Sequence, residues 1–326
     1  MKRLGNLYEK IHDIDNLILA DKKAKKGKLR QYGVIQHEKN SVENIHKLRE
    51  SLLNKTYKTS TYDIFVIKEP KERVIYRLPY YPDRILHHAI MNVLEPMFVN
   101  NFTTNTYSCI KGRGIHKAQK DVIEALKDVP GTQYCLKLDV RKFYPSIDHD
   151  ILKSLLRRKI KDNDLLWLLD EIIDSVEGVP IGNYLSQYFA NFYLSGFDHW
   201  IKETKKVKYY FRYADDMVIL ANDKKTLHNL FVEISNYLDI QLKLEVKGNH
   251  QVFPIAARGL DFVGYRFYHG YVRIRKSIKQ NFARSMANHG MVKSYSPYKG
   301  WLMYCKSKHL IKKVMFPNTF DIIDYY

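Results

Sequence analysis

Asp215 and Asp216 stand side by side in the run Tyr209-Tyr210-Phe211-Arg212-Tyr213-Ala214-Asp215-Asp216-Met217-Val218-Ile219-Leu220. Aromatic and β-branched residues on either side have the composition of two buried strands joined by a polar tip. A carboxylate pair at the tip of an apolar hairpin is costly unless a cation neutralises it. Asp139 closes an earlier β-rich run that begins at Tyr134, and Phe143 and Tyr144 follow it. One carboxylate on a strand beside a hairpin carrying two gives a pair of magnesium ions the hard oxygen ligands they need and leaves room for substrate phosphates. The chemistry implied is two-metal phosphoryl transfer.

Positioning such groups takes a sizeable scaffold, and 326 residues can build two or three subdomains with their own cores. The formal net charge of +19 points to a polyanionic partner. No apolar run reaches the roughly 18 residues of a membrane span, and the first ten residues lack the apolar core of a signal peptide. Nucleic acid is therefore the better polyanion, and no membrane partner is expected. Cys109, Cys135 and Cys305 are scattered, without metal-ligand spacing, which suggests neither disulfides nor zinc and makes a reducing cytoplasm the default. The basic charge gathers in two places. One is the cluster at 22–30; the other is 271–326, where eleven Lys and Arg face only Asp321 and Asp324. Tyr295, Tyr298, Trp301 and Tyr304 interleave with the second set, as stacking on bases or sugars requires.

The periodicity predicts helices across the first 56 residues, with Ile11, Ile14, Leu17 and Ile18 on one face and Val42, Ile45, Leu48 and Leu52 on another. Two β-rich runs, 62–68 and 73–78, flank a charged Pro-containing turn at 69–72 and predict a hairpin. Helices are expected over 84–94, 115–126, 152–176, 183–200 and 225–238. Residues 242–268 read as mostly β and the basic tail as mostly helical. The whole is an α+β chain with an antiparallel sheet. Lys111-Gly112-Arg113-Gly114 lacks the Gly-Lys-Ser/Thr ending of a Walker loop.

Taken together and in this order, these motifs resemble those of reverse transcriptases. Tyr213-Ala214-Asp215-Asp216 is similar to the central box of that family, and Leu138-Asp139-Val140-Arg141-Lys142-Phe143-Tyr144 to its first metal-binding box. The likeness extends over roughly residues 62–313, through the hairpin, a grip segment at 258–267 and the basic tail. It implies a right-hand polymerase fold: N-terminal helices and fingers at 1–130, an antiparallel palm at 131–268, and a small basic helical thumb at 269–326. It also implies that Asp139, Asp215, Asp216 and the carbonyl of Val140 hold two Mg2+ ions, with Mn2+ able to substitute. Lys68 and Arg73 would close over the triphosphate, and Tyr144 would collide with a ribonucleotide 2′-hydroxyl. Lys247, with Lys243 as a rival, would be the late-palm lysine that protonates pyrophosphate. Arg273, Arg275, Lys276, Lys299, Trp301, Lys306 and Lys308 would contact the nucleic acid.

The segment 179–191 discriminates further. Where many relatives carry Gln-Gly followed by Ser-Pro, this chain has Ile181-Gly182 and Ser186-Gln187. That pattern is similar to reverse transcriptases of diversity-generating retroelements, which copy a template RNA with errors to diversify a protein gene. Ile181 cannot hydrogen-bond as glutamine would, and Gly182 lets the backbone approach the incoming nucleotide closely; Gln187 belongs to the same pocket. The likeness implies template RNA, primer and cDNA, deoxynucleoside triphosphates and a small basic accessory protein as partners, in the cytoplasm of a bacterium or encoded by a phage. Rival readings are a retron or phage-defence reverse transcriptase and, from another class, a catalytically idle RNA-binding scaffold. Three costly carboxylates kept together argue against the last.

Overall fold

The two β-rich runs pair as an antiparallel hairpin, β1 (Asp63–Ile67) and β2 (Arg73–Arg77), with Asp63 opposite Arg77 and Ile67 opposite Arg73. The computed structural model describes residues 3–68 and 72–315, without the side chains of 291–294. Residues 69–71 of the expected turn and 316–326 of the expected thumb lie outside the described residues. The chain divides into two compact units. The first comprises Met1–Thr103, Val140–Trp200 and Asn236–Glu245; the second comprises Thr104–Asp139, Ile201–Ser235 and Val246–Tyr326. The span expected as palm thus contributes to both.

Helices build most of the first unit. Asp13 caps Ile14–Ala24 by accepting from the amides of Asp15 and Asn16. That helix buries Leu17, Ala20 and Ala24, while Ser41–Leu53 buries Ile45, Leu48 and Leu52. Ile18 and Val42, placed on the apolar faces by periodicity, are exposed instead. Helix Ile85–Asn101 presents Ile85, Leu86, Ala89 and Ile90 to the core. The helix expected over 152–176 is two, His149–Arg157 and Asn163–Ile173. Asp162 breaks it, because its carboxylate accepts the amide of Leu165 and starts a new helix. The next expected helix likewise divides, into Tyr184–Tyr193 and Ser195–His199.

The second unit carries two antiparallel sheets. One has the order β4 (Tyr209–Tyr213), β5 (Asp216–Ala221), β3 (Tyr134–Asp139), β6 (Gln251–Pro254). The other is the meander β7 (Leu260–Phe262), β8 (Tyr265–Tyr268), β9 (Tyr271–Ile274). A short helix, Ile255–Arg258, interrupts the stretch expected to be β. Strand alternation sends Cys135, Val218 and Leu220 into a shared core with Phe262, Tyr265 and Phe267 of the meander and Ala118 and Val122 of helix Ile115–Ala125. Met217, Val218, Ile219 and Leu220 of β5 are all buried, so this strand is packed on both faces. The tail is helical from Lys276, with a break in helical geometry at Gly290, where φ is 70°.

Candidate active site

Register brings the acidic residues together. Asp139 ends β3 directly opposite Asp216, the first residue of β5. Tyr213 also faces Asp216 across β4 and β5, so Ala214 and Asp215 form a two-residue turn between them. Ala214 sits at φ 55°, a left-handed conformation uncommon outside glycine. The guanidinium of the fully buried Arg212 donates to the Ala214 carbonyl at 2.9 Å and pins the turn. Rigid pairing thus aims the carboxylates.

Each of two carboxylates is held by one oxygen and left with the other unused. Lys247 pairs with Asp139 Oδ2, and its backbone amide donates to the Asp139 carbonyl at 2.8 Å. Lys137, two residues before Asp139 and on the same face of β3, lies 3.4 Å from Asp216 Oδ2 and donates to the Asp261 carbonyl at 2.6 Å. Asp139 Oδ1 and Asp216 Oδ1 are buried with no hydrogen-bond partner. Burial, with the neighbouring Asp139 carboxyl second, pushes Asp215 up to about 6. Burial likewise raises Asp216 to about 6, against the opposing pull of Lys137.

Orphaned buried carboxylate oxygens fit a divalent cation, because they have given up water without gaining a donor. Asp139 and Asp216 line a cavity of about 500 Å³ together with Lys137, Asn249, Arg258 and Arg275, among others. Among the described residues, Asp21, His37 and Glu38 are the group that brings three ligand atoms within 4.8 Å of one another. The aspartate trio is wider than that, as expected of like charges while Lys137 and Lys247 each hold one oxygen aside.

In the first unit, Tyr144, Ile181, Gly182 and the hairpin come together. The Val179 amide donates to the Tyr144 carbonyl at 2.9 Å, and the Tyr76 amide of β2 donates to the Ile181 carbonyl at 2.8 Å. Gly182 has φ 126°, and a Cβ there would lie 2.4 Å from the Tyr76 carbonyl oxygen, so no other residue fits without a shift. Ile181 is half-buried, while Gln187 is exposed on helix Tyr184–Tyr193. Arg73 opens β2 opposite Ile67, and Lys68 follows Ile67; both cations are exposed. Val140, directly after Asp139, is fully buried and belongs to this unit.

A family model described as reverse transcriptase (RNA-dependent DNA polymerase) matches residues 66–267. The chain belongs to the reverse transcriptases. It is 25% identical over 260 residues to protein YkfC of Escherichia coli, covering 64% of this chain and 68% of that protein. It is 25% identical over 178 residues to the group II intron-encoded protein LtrA of Lactococcus lactis, covering 51% of this chain and 29% of that one. The chain thus spans less than a third of that intron-encoded relative's length. A solved telomerase from Candida albicans, in complex with a fragment of telomeric RNA, superposes with TM-score 0.52 at 11% identity over 82% of this chain and 60% of its own. That likeness shows the reverse transcriptase fold, a mixture of helices and antiparallel sheets.

The basic residues of this reverse transcriptase are not equivalent. Arg275 is tied to Asp261, its Nε donating at 2.7 Å. Arg273 lies over the rings of Tyr271 and Tyr268, 5.0 and 5.8 Å from their centroids. Trp301 stands against Gly264, where a Cβ would meet its ring at 2.2 Å, and against Tyr265, so it is half-buried. Lys276, Lys299, Lys306 and Lys308 are exposed. Lys243 pairs with Asp148 at 2.5 Å, whereas Lys247 pairs with Asp139, which separates the two rival lysines. Lys137 escaped the sequence reading; the signal was a lysine at strand period two before the aspartate. Among the described residues no helix is long and apolar enough to cross a membrane.

Proposed function

We propose that this chain is an RNA-directed DNA polymerase that extends a primer on template RNA from deoxynucleoside triphosphates. The buried, partnerless oxygens of Asp139 and Asp216, held beside the third carboxylate of Asp215, carry this reading. In it, Asp139, Asp215, Asp216 and the carbonyl of Val140 hold two Mg2+ ions, with Mn2+ able to replace them. When bound, the metals lower the pKa of the primer 3′-hydroxyl and stabilise the leaving pyrophosphate. Lys68 and Arg73 bind the triphosphate, and the Tyr144 ring excludes a 2′-hydroxyl. Lys247, already paired with Asp139, serves as proton donor to pyrophosphate. The exposed lysines of the tail and Arg273 bind the phosphate backbone of the RNA–DNA duplex, with Trp301 stacking at their edge.

The finer reading is a mutagenic enzyme of the diversity-generating retroelement type, supported by Ile181 in place of glutamine and by Gln187 in place of proline. It brings a small basic accessory protein that loads the structured template RNA. The purified chain should extend a primed RNA with Mg2+ and deoxynucleotides, and should need the accessory protein to prime on its own template. Failure to extend any primed RNA overturns the polymerase reading. Efficient template-specific synthesis by the chain alone overturns the accessory requirement. A template repeat beside a variable gene in the genomic neighbourhood favours diversification, whereas a structured RNA gene favours the retron alternative.

A further inference from the structure

The fingers hairpin has few anchors. All five residues of β1 are exposed, and on β2 only Ile75 and Tyr76 are half-buried. Those two meet Gly182, and the Tyr76 amide reaches the Ile181 carbonyl at 2.8 Å. A second attachment lies just before β1. Asn183 Nδ2 donates to the Tyr62 hydroxyl at 3.0 Å, and that hydroxyl is 2.8 Å from Ser175 Oγ. The rings of Tyr62 and Tyr76 meet edge to face at 5.8 Å, which joins the two attachments.

Asn183 is the decisive residue. It stands at the N-cap of helix Tyr184–Tyr193, where asparagine ordinarily accepts an amide of the first turn, yet its side chain makes no cap hydrogen bond. It is buried and spends its amide on Tyr62 instead. A helix that forgoes its cap to hold the hairpin ties the position of Lys68 and Arg73 to the loop bearing Ile181 and Gly182.

We infer that Tyr62 and Asn183 form a latch that seats the fingers hairpin on the nucleotide loop, making them positioning residues for selection of the incoming nucleotide. This rests on the polymerase reading above. Neither residue touches substrate; each acts through the cations of the hairpin and the backbone of residues 181–182.

Single-nucleotide incorporation on a primed RNA by the full chain tests it. Tyr62→Phe, which removes one oxygen and keeps the ring, and Asn183→Ala should each raise KM for deoxynucleotides by about three- to tenfold, the worth of one hydrogen bond. The kcat should stay within about twofold and primer–template affinity should not change, since uniform binding of the nucleotide is what weakens. The double variant should be no worse than the worse single, because both break the same contact. Unchanged KM in Tyr62→Phe, additive effects, or an equal loss of primer–template affinity overturns the latch. A purely structural role would lower stability without this split. Should the parent chain incorporate nothing, the polymerase reading falls. The latch is then judged by amide exchange, which should quicken at Tyr76 in Tyr62→Phe; unchanged exchange overturns it.

Discussion

The molecule contains two clusters built around aspartate, and they are resolved in opposite ways. In the first unit, Asp21 accepts from Tyr80 at 2.6 Å, pairs with Lys25 at 2.8 Å and lies 3.2 Å from His37, while Lys25 reaches on to Glu38 at 2.6 Å. Burial pushes the Asp21 carboxyl up, but His37, Lys25 and Tyr80 outweigh it and hold it well below the usual range. In the second unit, Lys137 and Lys247 are placed to one side, two oxygens stay unused, and Asp215 and Asp216 are raised to about 6. The first cluster has its cation covalently attached, as a lysine. In the second, two lysines pair with Asp139 and Asp216 but leave one buried oxygen of each without a hydrogen-bond partner. Ligand-atom proximity singles out the Asp21 group, whereas orphaned carboxylate oxygens occur in the second cluster and not in the first.

The largest expected difference between the clusters is in activity. Asp139→Asn or Asp215→Asn should reduce incorporation on the order of a thousandfold or more while leaving RNA affinity within about twofold. Asp21→Asn should leave turnover per folded molecule unchanged. Primer extension and RNA binding on the same preparations decide the matter, and near-parental extension by either active-site variant would remove that aspartate from the site. Stability should rank the same variants in reverse. Asp21→Asn takes the charge from a buried network and should cost about 2–3 kcal/mol in denaturant unfolding. An unaltered midpoint would make that network ornamental.

How much of this was legible in the sequence follows from which interactions are local. The strand–tip–strand pattern around Asp215, the hairpin at 62–78 and the apolar periodicity of Leu17 or Leu48 are properties of neighbouring residues, and they appear as read. The break at Asp162 was missed because a capping aspartate inside an apolar pattern looks like a surface residue. Ile18 is exposed for a different reason: periodicity defines a stripe but not its width, which is set by the partner helices. The contacts of Lys137 with Asp216 and Asp261, and the Tyr62–Asn183 bond, join residues more than 70 positions apart, and the strand spacing before Asp139 points to the lysine but not to its partners. The Asp21 cluster joins Lys25, one helical turn away, to His37, Glu38 and Tyr80 from later elements, and nothing in its composition announces it.

Acid should pull the two regions in opposite directions, a smaller effect than either substitution series. Burial lowers His87 and His88 to about 4, so their contribution is present above the unfolded histidine value and is lost as pH falls through about 4. Asp215 and Asp216 run the other way: their contribution is complete below the unfolded carboxylate value and is lost as pH rises through about 6. Without divalent metal at pH 7.5, Asp216→Asn should therefore be more stable than the parent by about 1 kcal/mol, after discounting for its partly exposed side chain. The gap should close by about pH 4, and Mg2+ should raise the melting temperature of the parent but not that of Asp215→Asn. A gap that widens on acidification would contradict the sign of the carboxylate shift.

The smallest effect sharpens the comparison at the level of a single contact. Where the aspartate clusters differ in how their charges are met, Ile181 differs from the glutamine expected in many relatives by one polar group beside a backbone already fixed through Tyr76. The glutamine would add a hydrogen bond worth about 0.5–1.5 kcal/mol to a correctly paired nucleotide. Since about 1.4 kcal/mol is tenfold, its absence should raise misincorporation several-fold without making synthesis random. Gly182 cannot supply the missing contact, because its close approach to the Tyr76 carbonyl leaves no room for a side chain. In the retroelement enzymes that this segment resembles, errors concentrate at template adenines. Ile181→Gln should accordingly lower the error rate at adenine more than at the other three bases, with primer extension otherwise unchanged. Sequencing cDNA made by both proteins from one template measures it, and equal adenine error rates would reduce Ile181 to a residue that fills space behind the loop.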